Sequence, residues 1–160
     1  MYGEKRNHAY LTMGTSKDPS EFVCDRLTYW WDTELNHPYP HADKIILRCD
    51  GGGSHSSRYP IVKQDFQPVS TRLGLPIQIQ HDPPSCSKYH RIEHRMFPQL
   101  TRQWKGVIFR NADLLKDLAE QTTTKTGRTV KAVINTNSYH TGRKADPEFL
   151  DTMNIEYDRE

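Results

Sequence analysis

The stretch Lys44-Ile45-Ile46-Leu47-Arg48-Cys49-Asp50-Gly51-Gly52-Gly53 decides the fold class. Its apolar, β-branched first half suits a strand of a parallel sheet buried on both faces. It then ends abruptly at one acidic residue and three glycines. Helical signals flank it on both sides. Upstream, Asp18-Pro19-Ser20-Glu21 reads as a helix start with Asp18 as N-cap, Pro19 in the first turn and Glu21 reaching back. That helix is expected to run to about Leu35, burying Val23, Leu27, Trp30 and Trp31, until His37-Pro38-Tyr39-Pro40 breaks it. Downstream, a helix from about Pro60 to Leu73 follows, with Pro68 awkwardly inside it.

Outward from this centre the alternation continues. Ala9 to Met13 and Ile77 to His81 read as strands, and a helix is expected from Ser87 to Trp104. Another helix from Asn111 to Gln121 precedes a strand at Thr129 to Ile134, and a tail helix begins at Asp146-Pro147. The pattern β-α-β-α-β-α predicts an α/β domain with a mainly parallel sheet covered by helices. We expect one domain over 1–145 and a helical tail over 146–160.

Composition fits this reading. The 160 residues suffice for one core, and 34% hydrophobic with 10% aromatic content argues against disorder. Mean hydropathy is -0.85, which is polar for a globular chain. A net charge of +2 gives no global signature of a nucleic-acid partner, so such binding would need a local patch. Cys24, Cys49 and Cys86 form no C-x-x-C pair and read as reduced thiols. No apolar run approaches membrane-spanning length and no signal-peptide pattern is present, so a soluble, cytoplasmic protein is expected.

Two carboxylates stand out. Asp50 follows the carboxyl end of a strand, where ligand sites of open α/β sheets gather. The glycines after it, with Ser54, would let backbone N–H groups approach a phosphate or a metal-bound water. The competing reading of Asp50 is a helix cap in a turn. Glu93 shares a helix face with Tyr89, Ile92, Met96 and Leu100, an expensive place for a charge unless it is paired or binds metal. A buried salt bridge is the competing reading there. Lys88, Arg91, Arg95 and Arg102 fall on the opposite side, suited to phosphate contact or simply to solvent. A carboxylate at a strand end and another on a packed helix suit two-metal phosphodiester chemistry, and oxygen ligands suit Mg²⁺ or Mn²⁺.

Several ordered motifs together resemble the catalytic core of ISAzo-type DDE transposases of bacterial insertion sequences. They are Cys49-Asp50-Gly51-Gly52-Gly53-Ser54-His55, His81-Asp82-Pro83-Pro84 with Ser87-Lys88, and Ile92-Glu93-His94-Arg95-Met96-Phe97. Trp30-Trp31, Tyr39-Pro40, Trp104-Lys105-Gly106 and Thr122-Thr123-Thr124 with Thr126-Gly127 add to them. The resemblance implies an RNase H-like (retroviral-integrase-type) mixed sheet flanked by helices. It also implies Asp50 as the second catalytic acid, Glu93 as the third, and a Mg²⁺ or Mn²⁺ two-metal site. The implied function is cutting insertion-sequence ends and joining them to target DNA, which in turn implies a nucleoid-associated, homo-oligomeric protein.

Departures from the pattern matter as much. His90 stands where the family usually has Asn, close enough to the site to affect its geometry. Pro60, Pro68 and Pro98 fall where the family is helical. The family's first catalytic Asp lies on a strand upstream of these residues, and neither Asp18 nor Asp25 can take its place. We therefore expect an N-terminally truncated domain, inactive alone. Two other readings stay open. His90-Arg91-Ile92-Glu93-His94 matches the H-x-x-E-H zinc protease motif, with Cys86 and His81 as further ligands. The chain could also be a non-catalytic DNA-binding remnant.

Overall fold

The computed structural model describes residues 1–3, 6–17, 19–49, 59–81, 91–108, 111–123 and 127–157. It is a mixed α/β structure that divides into two compact units: Met1–Ser16 with Pro84–Ser138, and Lys17–Pro83 with Tyr139–Glu160. Among the described residues the strands form two sheets, not the single mainly parallel sheet expected from the sequence.

In the first unit, β1 (Tyr2–Gly3) pairs antiparallel with β2 (His8–Gly14), a hairpin whose first strand is too short to leave a periodic signal. Asn7 turns the hairpin with φ 54, a left-handed conformation that asparagine tolerates better than most residues. On its other side β2 pairs parallel with β5 (Thr129–Asn135), in a register that sets Ala9 against Val130 and Leu11 against Ala132. Strand β5 alternates as a one-sided strand should. Val130 and Ala132 are buried while Thr129 and Lys131 are exposed.

The buried face receives three helices: α3 (Arg91–Arg95), α4 (Phe97–Trp104) and α5 (Ala112–Glu120). Ala9, Met96, Leu100, Ala119, Val130 and Ala132 form the core, with Ile92 and Trp104 packed against it. Helix α5 starts where its sequence says, because the Asn111 side chain accepts from the Leu114 N–H at 2.8 Å. At its other end Glu120 takes the Ala132 N–H at 3.0 Å, fastening α5 to β5.

In the second unit, α1 (Ser20–Trp30) runs into a π-helical turn, Trp31–Leu35, closed by the Asn36 N–H on the Trp31 carbonyl at 3.0 Å. Pro19 occupies the capping position, one residue later than the sequence suggests, with no side-chain cap bond; Asp18 lies outside the described residues. Trp30 is buried, but the change of winding leaves Trp31 only half-buried.

Strand β3 (Ile45–Cys49) pairs parallel with β4 (Ile77–His81). Ile45, Leu47, Ile77 and Ile79 pack with Cys24 and Leu27 of α1 and with Val62, Phe66 and Val69 of α2 (Pro60–Leu73). The expectation of a strand buried on both faces fails: Ile46 is 48% exposed, and Arg48 is exposed beside it. Among the described residues, helices pack against the opposite face, that of Ile45 and Leu47. Helix α2 carries Pro68 in its interior and stops at Gly74, whose φ of 65 few other residues would accept. A last short helix, α6 (Pro147–Thr152), starts with the Asp146 side chain on the Glu148 N–H at 3.0 Å. The segment around it is tied to α2, where Gln64 accepts from the Asp146 N–H and Gln67 from that of Asn154.

Candidate active site

The helix expected from Ser87 to Trp104 is broken in two, and the cause is local. Pro98 has no N–H to give the His94 carbonyl, and its ring would clash there if the helix continued. The chain turns at Met96, with φ -99 and ψ -55, and α4 starts with Pro98 in its first turn. Met96 still donates to Ile92 at 2.9 Å, while Gln99 and Leu100 both donate to Met96 at 3.1 Å. Met96 at 1% and Leu100 at 2% exposure anchor the break in the core.

Glu93 therefore lies in the last turn before this break, half-buried, beside the core-packed Ile92. Arg95 closes α3, with its side chain exposed. Arg102 is exposed on α4. Asp50, Gly51, Gly52, Gly53, Ser54, Lys88 and His90 lie outside the described residues, as does the side chain of Arg91. In sequence, Asp50 directly follows Cys49, the last residue of β3, which faces His81 across the parallel pair.

Arg128 gives no sequence signal, being one arginine ahead of a strand, yet it is 8% exposed within the first unit. Its Nη1 donates to the carbonyl of Arg95 at the end of α3. Its Nε donates to Asn7 Oδ1 at 3.2 Å, and its guanidinium lies 5.4 Å from the Tyr2 ring centre. The Tyr2 hydroxyl donates to the same Asn7 oxygen at 3.0 Å.

Cys24 is a poor candidate for chemistry. Burial, with the Asp65 and Asp25 carboxylates, pushes its thiol far above the ordinary range, so it stays protonated. Among the described residues no three His, Cys, Asp or Glu side chains gather as a metal site. The donor chemistry of Asp50 and Glu93, carboxylate oxygens alone, matches hard divalent cations. No helix among the described residues is long and apolar enough to cross a membrane.

The family model described as the Rhodopirellula transposase DDE domain matches residues 1–160, and the chain belongs to this ISAzo-type DDE transposase family. No curated protein and no solved structure matches it. The family match spans the H-x-x-E-H segment and does not favour the zinc protease reading, and His94 is exposed on α3.

Proposed function

We propose that this domain serves the cutting and joining of DNA at insertion-sequence ends, with Asp50 and Glu93 as ligands of Mg²⁺ or Mn²⁺ on an RNase H-like scaffold. The observation that carries the reading is a family match over the whole chain, with Glu93 on a turn anchored in the core. Bound there, two divalent ions would supply positive charge to the attacking and leaving oxygens of a phosphodiester. Asp50 and Glu93 would hold them, and Gly51, Gly52, Gly53 and Ser54 would let backbone N–H groups approach the phosphate. His90 would shape the site beside Glu93, and Lys88, Arg91 and Arg95 would neutralise flanking phosphates.

Residues 1–160 by themselves contribute two of the three acids this chemistry uses and are expected not to cleave DNA alone. The test is Mn²⁺ titration of the chain. Asp50→Asn and Glu93→Gln should each weaken binding by about tenfold or more while far-UV circular dichroism stays unchanged. Unaltered affinity in both variants would make the two carboxylates structural. Metal-dependent nicking by residues 1–160, lost in Glu93→Gln, would show that another acid within the chain completes the site.

A further inference from the structure

Pro98 interrupts the helix just past α3, so the C-terminal end of α3 lacks the continuing helix that would otherwise order it. The orientation of this end of α3, which carries Glu93, therefore depends on contacts from other elements. One hold is Ile92, packed in the core. Another is at the far end. In an unbroken helix the Arg95 carbonyl would accept from the N–H of Gln99, but that N–H goes to Met96 instead. The Pro98 break thus releases a carbonyl two residues from Glu93, and the Arg128 guanidinium takes it.

Arg128 is well suited to this. It is buried, and the residue before it, Gly127, has φ 72, a turn that glycine accepts without strain. Its fork bonds Asn7 as well as Arg95, and its flat face lies near the Tyr2 ring. Asn7, in turn, is fixed by the Tyr2 hydroxyl. One side chain so joins the β1–β2 turn, the start of β5 and the end of α3, a planar multi-donor task that lysine performs only in part.

We propose that Arg128 is a positioning residue that holds α3 by the Arg95 carbonyl and so aims the Glu93 carboxylate. This rests on the reading of Glu93 as a metal ligand. Arg128 need not touch metal or DNA to do it.

The experiment compares Glu93→Gln, Arg128→Met, Arg128→Lys and the double variant Glu93→Gln/Arg128→Met by Mn²⁺ titration. Amide hydrogen exchange at Met96, which closes α3, is followed in parallel. Arg128→Met should speed Met96 exchange and weaken Mn²⁺ binding by about tenfold. Arg128→Lys should recover part of both, since an ammonium can still reach the carbonyl. The double variant should bind no more weakly than Glu93→Gln alone, because Arg128 acts through Glu93. A merely structural arginine would change stability without this non-additivity.

Wild-type affinity in Arg128→Met beside a loss in Glu93→Gln would overturn the role of Arg128 and leave the metal site standing. Additive losses in the double variant would overturn it as well. Unchanged affinity in Glu93→Gln would remove the site itself, and the role of Arg128 with it. Should Arg128→Met fail to fold, Arg128→Lys carries the test with the same signs.

Discussion

Arg143 sets one guanidinium nitrogen 2.6 and 2.5 Å from the two carboxylate oxygens of Asp65. Asp65 lies on α2, its side chain only 10% exposed, while Arg143 lies in the segment leading to α6. The Ser20 hydroxyl donates to the same carboxylate at 2.5 Å, and Arg143 Nε lies 3.5 Å from Glu21. The start of α1, the middle of α2 and the C-terminal segment thus meet at one carboxylate. The hydrogen bond to Asp65 raises the Arg143 pKa further above its ordinary value, so the guanidinium stays charged.

Removing this arginine should therefore cost more than losing a solvated surface pair. Arg143→Ala leaves the Asp65 carboxylate nearly covered without its guanidinium, while the Ser20 hydroxyl still donates to it. We expect a loss of about 2 kcal/mol, below the value for a fully buried pair because Arg143 itself is partly in water. Arg143→Lys should restore part of it. Urea unfolding of the three proteins measures this directly. A loss under about 0.5 kcal/mol would place the pair with ordinary surface ion pairs.

Cys24 sits beside this cluster and should be chemically silent in the folded chain. With its thiol held protonated, iodoacetamide at mildly alkaline pH should leave Cys24 unlabelled until denaturant is added, as peptide mapping would report. The linkage has a definite sign. The folded pKa is raised, so the associated stability is complete below the ordinary thiol value of 9.0 and declines as pH rises beyond it. The slope is at most about 1.4 kcal/mol per pH unit. Cys24→Ala should lack this component of the alkaline decline. Equal slopes in the two proteins would mean that Cys24 ionises in place.

Pro68 offers a gain of stability. It sits exposed in the interior of the 14-residue α2, where its ring denies the Gln64 carbonyl a donor. Pro68→Ala should restore that bond and stabilise the chain by about 1–3 kcal/mol, less the entropy the proline removes from the unfolded state. Pro68 also lines an open groove with Thr71, Phe149 and Thr152. A fall in melting temperature would show that packing against the α6 segment outweighs the helical bond.

The elements were legible where local chemistry sets them. Asn111 and Asp146 announce their helices as side-chain caps, and Ile45, Leu47, Ile77 and Ile79 show the apolar run of a parallel pair. Two kinds of feature were not legible. One is set by what covers a residue: Ile46 belongs to the same apolar run as Ile45, yet only tertiary packing exposes it. The other is set by pairs distant in sequence. Arg128 meets Arg95 and Asn7 because β5 lies beside β2, a partnership that no periodicity records. Pro98 signals a break, yet the apolar wheel of Ile92, Met96 and Leu100 runs across it as in a continuous helix. The candidate site residues Asp50 and Glu93 come from motif and pattern; of the two, Glu93 is among the described residues, half-buried on α3.

The last prediction concerns DNA. Lys88, Arg91 and Arg95 are expected to meet phosphates, and Arg95 already presents an exposed side chain on the turn that carries Glu93. Such contacts release counterions, so affinity should fall steeply with salt and hardly depend on sequence. Each phosphate neutralised adds about 0.9 to the slope of log affinity against log salt. The triple variant Lys88→Ala, Arg91→Ala, Arg95→Ala should therefore flatten that slope by about 2 to 3 and weaken binding to all duplexes alike. Arg95→Ala should leave α3 in place, because Arg128 holds the backbone carbonyl there rather than the side chain. Fluorescence anisotropy across a salt series on two unrelated duplexes gives both quantities. An unchanged slope in the triple variant would make the stripe a solvated face. A slope change confined to one duplex would mean that these residues read bases.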